Sequence, residues 1–558
     1  MSATNKESTD TPAQEVRALL VMNQEDGGFD CLGSARVPDG AIGVAITCPI
    51  AQLGARGKGV PSDLGYAAGW ASIKSLPAMP AWQAFPPVPN SAFLPAALTR
   101  DVNSVGAGAC LSRVLPPCAI WPYAEEPCPV TESTASSGSG SSPVTSGSAD
   151  YPDHDRAIRL YGEQLAGDPA ELYRGMRSEF GSVAPILLDG DIPAWFVLGY
   201  REMHLITSSP QLFARDCRRW NAWDRIPADW PLMPFVGWAP SVMFAEGSEH
   251  QRRAGAIGDA LDAVDRTDLA RICEQVSDQL IDGFTGNGEA DLVADYANQI
   301  PMRVIAPLFG LPESDTPALV QDIADSLDVA EKANAAHQRN YVRMQELVAA
   351  RHDKPGRDVP SRMIAHPSGL ADDEIIIDLL VVMAAAQQPT ANWIGNALRL
   401  MLIDDQFSLT LQGGRSSVGQ ALTEVLWKDT PTQNFIGRWA VQDCDLGGRR
   451  VRKGDLLVLG LAAANADPRV RPSSFADTGM NRAHMSFGHG EHGCPYPAPE
   501  LAEIIARTAV EVLLDRIPDV MLAVGGGELR WRPSLWMRGL YSLPVKFSPD
   551  VRVTPRLA

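Results

Sequence analysis

His484–Val510 reads HMSFGHGEHGCPYPAPELAEIIARTAV, and this stretch decides the fold. Gly488, Gly490 and Gly493 give a backbone that can turn tightly and approach a flat ligand closely, while Phe487 supplies an aromatic wall. Cys494 follows, just ahead of the helical pattern ELAEIIARTAV, where backbone donors and the positive helix end lower a thiol pKa and favour thiolate. A thiolate placed on haem iron pushes electron density toward bound oxygen and assists O–O cleavage, so the loop points to oxygen activation. Two plainer readings stay open. A lone cysteine before a helix is commonly a small buried hydrophobe. His484, His489, His492 and Cys494 also bring four zinc-ligand types within eleven residues, although zinc sites usually recruit from separate elements.

Working outward, the chain after Tyr151 carries long helical patterns with apolar residues recurring at three and four, such as DLARICEQVSDQLIDGF, DEIIIDLLVVMAAA running on to NWIGNALRLML, and ELAEIIARTAVEVLLDRI. Shorter pieces, APILLDGDIPAWFVLGY and CDLGGRRVRKGDLLVLG, read as strand, turn, strand. The expected class is mainly α with small β-sheets, over residues 151–558. Residues 131–150, TESTASSGSGSSPVTSGSAD, have the composition of a flexible linker. Residues 1–130 show little sustained period and are expected to form a largely disordered N-terminal extension of unknown role. Five of the nine cysteines (Cys31, Cys48, Cys110, Cys118, Cys128) fall there without metal-ligand spacing or a disulfide framework.

Composition excludes some classes. The 558 residues are 45% apolar and 21% charged, enough for a sizeable core, and the net charge of −19 argues against a nucleic-acid partner. No uninterrupted apolar run of membrane-spanning length is present, and the start MSATNKESTDTP lacks the order of a signal peptide. A cytoplasmic protein with no membrane partner is expected.

The segment Phe487-Gly488-His489-Gly490-Glu491-His492-Gly493-Cys494 is similar to the cysteine-ligand signature F-G-x-G-x-H-x-C of the cytochrome P450 family, and the order and spacing of the chain from about residue 151 agree. The resemblance implies a helical triangular prism with haem b between two long helices. It implies Cys494 as the iron ligand, His492 and Arg438 (in FIGRWA) as partners of the haem propionates, and His250 (in EGSEHQRR) as a third propionate contact. It also implies a monooxygenase of bacterial soluble type, acting on an apolar small molecule of specialised metabolism with electrons from a ferredoxin and ferredoxin reductase.

Departures from the family pattern are equally legible. On IIIDLLVVMAAAQQPTANWIGNAL, which resembles the helix on the oxygen side of the haem, the family's A-G-x-(D/E)-T is replaced by Ala385, Ala386, Gln387, Gln388 and Pro389. The acid and alcohol that relay protons are missing, since Gln388 cannot ionise and Pro389 has no hydroxyl. Pro389 should free the carbonyl of Ala385 and kink the helix, and Thr390 or Asn392 could position a water instead. In ALTEVLWKDTP the family's E-x-x-R becomes Glu424 and Trp427, so Glu424 needs another donor, with Arg482 a candidate. The arginine expected four residues after His250 is Ala254, which Arg252 or Arg253 could replace, and Tyr496 stands where a glycine is usual.

Trp220, Trp223, Trp230 and Trp238 crowd CRRWNAWDRIPADWPLMPFVGWAP, either lining an apolar substrate pocket or packing a long loop. Arg449, Arg450, Arg452 and Lys453 form a candidate basic patch for a ferredoxin, or a solvated turn. Without the relay, the oxidase could take peroxide in place of dioxygen. Rival readings are a haem-binding sensor or interaction module without turnover and a haem-assisted non-oxidative enzyme.

Overall fold

The computed structural model describes residues 18–22, 29–34, 45–46, 154–227, 229–325, 330–403, 416–470 and 481–549. The chain divides into two units, Met1–Leu111 and Ser112–Ala558. Within the first, the strands Ala18–Met22, Phe29–Ser34 and Ala45–Ile46 form an antiparallel meander, with Ala18 opposite Gly33 and Met22 opposite Phe29. The sequence reading found no strand period there, although the run NQEDGG between two apolar segments carries a hairpin's turn residues. The remainder of the expected extension, and the 131–150 linker, lie outside the described residues.

The second unit is mainly helical with small sheets. Its central element is the helix Asp372–Ile403, opened by Asp372, Asp373 and Glu374, whose charges suit a helix N-terminus. It packs against Ile300–Leu308, Ala330–Asp353, Ser416–Lys428 and Ala498–Arg516. This helix is long and apolar enough to cross a membrane by composition. It nevertheless buries Asp378, Gln387 and Asn396 in hydrogen bonds to neighbouring helices and loops, as a core helix of a folded unit does. The helix continues through Pro389.

A six-stranded sheet runs in the order Ile158–Arg159, Val183–Leu188, Ile192–Val197, Leu456–Leu459, Phe435–Ala440, Phe213–Ala214. The two strands read from APILLDGDIPAWFVLGY pair antiparallel, turning at Gly190 with φ +73°. The Leu456–Leu459 strand pairs parallel with Ile192–Val197 and antiparallel with Phe435–Ala440, which carries Arg438. Trp220 and Trp230 are buried with ring centres 5.8 Å apart, Trp223 Nε1 donates to the Cys217 carbonyl, and the Arg218 guanidinium covers Trp238. The tryptophans of this segment are therefore packing, largely in the core beside the sheet.

Candidate functional site

The cysteine loop is held by its own backbone. Gly488 N–H donates to Met485, Gly493 N–H to Gly490, and Cys494 N–H to Phe487 at 2.8 Å. Gly490 has φ +74°, and a Cβ there would lie 2.1 Å from the Thr207 carbonyl, so only glycine lets the loop close on the helix Tyr200–Ser208. Gly488 is also left-handed, at φ +71°.

Cys494 presents an exposed side chain, yet the surrounding protein desolvates the thiol and pushes its pKa up to about 12. The sequence reading expected the opposite shift from the following helix. That helix begins only at Ala498, beyond Pro495-Tyr496-Pro497, and burial outweighs its dipole. Tyr496 is 70% exposed and points away from the core.

Beside the loop lies a cluster of basic side chains. Arg438 is buried, and its guanidinium donates to the Gly437 carbonyl. Desolvation first, and then Arg215, pull its pKa well below the usual range. Arg215 is likewise buried, braced by the carbonyls of Met243, Ile436 and Gly437, with its pKa lowered to about 10 by burial. The rings of His250 and His492 stand 4.0 Å apart. Both imidazoles are pushed down by desolvation, His492 also by Arg215, Arg438 and His250. His250 Nδ1 lies 3.5 Å from Glu491 Oε1, and neither atom has a hydrogen-bond partner among the described residues. Among the described residues the two buried guanidiniums bond carbonyls and meet no carboxylate in an ion pair, Glu246 and Glu491 acting on Arg438 only through space, so a group bearing two carboxylates would supply the partners they lack, and the imidazoles could add hydrogen bonds. The residues fit haem b: its propionates suit this pocket, and its iron suits Cys494.

The structure thus brings Cys494, His492, His250 and Arg438 into one neighbourhood, and adds Arg215 and Glu491, which the sequence reading missed. Arg215 carried no local signal, because its three carbonyl partners lie 28, 221 and 222 residues away. Arg252 and Arg253 do not cover the pocket. Arg252 pairs with Glu374 at 2.5 Å, and Arg253 donates two hydrogen bonds, 2.7 and 2.8 Å, to Asp378. The zinc reading fails on geometry, because His484 packs against Trp427 and Phe487, while His489 packs against His204. Among the described residues, the group of three potential ligands that converges is His250, Glu491 and His492, without Cys494.

The candidates on the long helix separate into two faces. Ala385 is exposed and Ala386 and Pro389 are half-buried. Gln388 donates from Nε2 to Asn392 Oδ1 at 2.9 Å. Gln387 turns into the core and donates to the Asn298 carbonyl at 2.8 Å, and Thr390 is buried, so neither lies on the exposed face. Glu424 pairs at 2.7 Å with Lys428, one turn along its own helix, not with Arg482, which meets Glu503. In the candidate basic patch, Arg449 caps the Phe180 ring and carbonyl and Arg450 pairs with Asp443, so at least two of its four charges are engaged.

No protein-family model matches the chain. Curated relatives do. The cytochrome P450 monooxygenase PikC of Streptomyces venezuelae is 27% identical over 397 residues, covering 69% of this chain and 92% of its own. The polyketide biosynthesis cytochrome P450 PksS of Bacillus subtilis is 28% identical, covering 54% and 76%. Among solved structures, CYP154C4 from a Streptomyces species superposes with a TM-score of 0.63 at 26% identity, covering 70% of this chain and 97% of its own. The fold and these likenesses place the chain among haem-binding oxidoreductases of the cytochrome P450 type. Its similarity to bacterial cytochrome P450s, in sequence and in fold over about two thirds of the chain, supports an oxidoreductase of monooxygenase type with haem b as cofactor.

Proposed function

We propose that this protein oxidises an apolar organic molecule of specialised metabolism in the cytoplasm, with electrons from a ferredoxin and its reductase. The observation that carries the reading is the exposed Cys494 in the same loop as His492, beside the buried guanidiniums of Arg438 and Arg215, which bond carbonyls and no carboxylate side chain among the described residues, and beside the His250–His492 ring pair. The biosynthetic role of PksS supports the substrate class. Haem b, when bound, supplies the oxygen-activating chemistry. Cys494 ligates the iron, while Arg438, His250 and His492 hold the propionates and so fix the orientation of the ring.

On the long helix, Ala385, Ala386, Gln387, Gln388, Pro389 and Thr390 include no ionisable group. The Gln388–Asn392 amide pair takes the place of an acid and alcohol. With one donor and one acceptor used on each other, Gln388 Oε1 and Asn392 Nδ2 remain to hold a water or a polar group of the substrate. Protons must then come through water or from the substrate itself.

The experiment is turnover of candidate apolar substrates with ferredoxin, ferredoxin reductase and NADPH under labelled dioxygen. One labelled oxygen atom in the product supports the reading. Product formed only with added peroxide would replace the electron donor, an unoxidised product would make the protein an isomerase or dehydratase, and haem binding without any turnover would make it a sensor.

A further inference from the structure

The E-x-x-W departure leaves open what braces the cysteine loop, and the structure answers it with uncharged groups. Trp427 is 1% exposed, and its Nε1–H donates to the Asn481 carbonyl at 2.9 Å, at the entry to the loop. Its ring meets His484 edge-on, with centres 5.9 Å apart and planes at 90°. His484 in turn packs on Phe487 at 5.9 Å, and the Phe487 carbonyl accepts the Cys494 N–H. The far side of Phe487 meets Trp393 of the long helix at 5.8 Å. Trp393 Nε1 donates to the Leu422 carbonyl, on the same helix as Trp427. The rings Trp427, His484, Phe487 and Trp393 thus close a circuit between two helices and the loop.

Amide and hydroxyl groups tie the same parts together. Asn465 accepts the Met485 N–H at 2.6 Å through Oδ1, while its Nδ2 donates to the Leu426 carbonyl and to Ser486 Oγ. Ser486 also donates to the Leu426 carbonyl. Both indole N–H groups and both ends of the Asn465 amide are satisfied, as buried polar groups require. The charged groups nearby are occupied outside this circuit: Glu424 with the half-exposed Lys428, and the 77%-exposed Arg482 with Glu503.

We propose that Trp427 and His484 are positioning residues which, with Asn465, hold the Cys494 loop in its ligating pose through a neutral ring-and-amide brace rather than an ion pair. This rests on Cys494 being the iron ligand. Edge-to-face ring contacts and one buried hydrogen bond each contribute modestly, so the brace works as a set. Among the described residues the brace contains no ion pair for salt to screen, so its hold on the loop should be insensitive to salt.

The test compares holoenzyme variants by haem content and by the half-life of the thiolate-type band of the reduced carbon monoxide complex, with and without about 1 M KCl. Trp427→Phe keeps the ring but loses the bond to Asn481, and should shorten that half-life roughly five- to tenfold. Trp427→Leu and His484→Ala should shorten it further, and His484→Phe, which keeps the stack, should restore most of it. Glu424→Gln should leave band and half-life unchanged, and salt should not alter the wild-type decay. Where Trp427→Leu does not fold, Trp427→Phe against His484→Phe still decides. Unchanged half-lives in Trp427→Phe and His484→Ala, or a loss in Glu424→Gln that salt reproduces in wild type, would overturn the proposal. A wild type with no thiolate-type band would instead remove the ligand assignment beneath it.

Discussion

Removing the Asp378 carboxylate tests how the helix bearing His250 is locked to the long central helix. Asp378 is fully buried and accepts two hydrogen bonds from Arg253, at 2.8 and 2.7 Å, and one from the Val242 N–H at 2.8 Å. Arg253 is 2% exposed, and its other acidic neighbour, Glu249, stands at 3.5 Å on the surface. Asp378→Ala therefore strands a guanidinium in the core and an amide N–H beside it. Breaking one partner of such a pair costs about 3–5 kcal/mol, whereas replacing both partners by apolar groups is often close to neutral. Urea titrations of the holoprotein should show that loss for Asp378→Ala, and the double variant Arg253→Met/Asp378→Leu should recover most of it. Because the same helix, Gly247–Asp262, carries His250, haem should also dissociate faster from the single variant. A loss below about 1 kcal/mol in Asp378→Ala, or a double variant as unstable as the single, would refute the buried-pair reasoning.

Two further outcomes follow from the site. Arg438→Leu removes a buried guanidinium assigned to a propionate, and the loss of a charge-assisted hydrogen bond should weaken haem retention by roughly 10- to 100-fold, measured as haem transfer to an apoprotein acceptor. Burial depresses the His484 imidazole to about 4 from an ordinary value near 6.5, so the folded chain binds that proton less readily than the unfolded one. Stability should fall as pH drops from about 6.5 toward 4, by at most about 1.4 kcal/mol per pH unit from this group, and His484→Phe should flatten the profile in that window.

The sequence made the cysteine loop readable because the ligand, the glycines and the aromatic wall are neighbours in the chain, and local spacing suffices to recognise them. Long-helix periodicity likewise located the elements that surround it. Pairings between distant segments were not readable in the same way. Arg252 and Arg253 looked like stand-ins for a missing propionate arginine, but the rotation of their helix aims them at Glu374 and Asp378. Arg215 is identified only once the strand bearing Ile436 and Gly437 is placed beside it. The Glu424–Lys428 pair, by contrast, was available from spacing alone, since residues four apart on a helix are neighbours. The thiol shift was misjudged for a physical reason: a helix end stabilises thiolate only within its first turn, and the Pro495–Pro497 segment moves Cys494 beyond it. The tryptophans around residue 230 could not be sorted into pocket or core without knowing that the sheet lies against them.

The central claim is that Cys494 holds haem iron as thiolate. The direct measurement is the absorption spectrum of the reduced protein with carbon monoxide, for wild type beside Cys494→Ala. A strongly red-shifted thiolate-type Soret band that disappears in the variant is the predicted result. A wild-type protein without haem, or a histidine-type band that the substitution leaves unchanged, would contradict it.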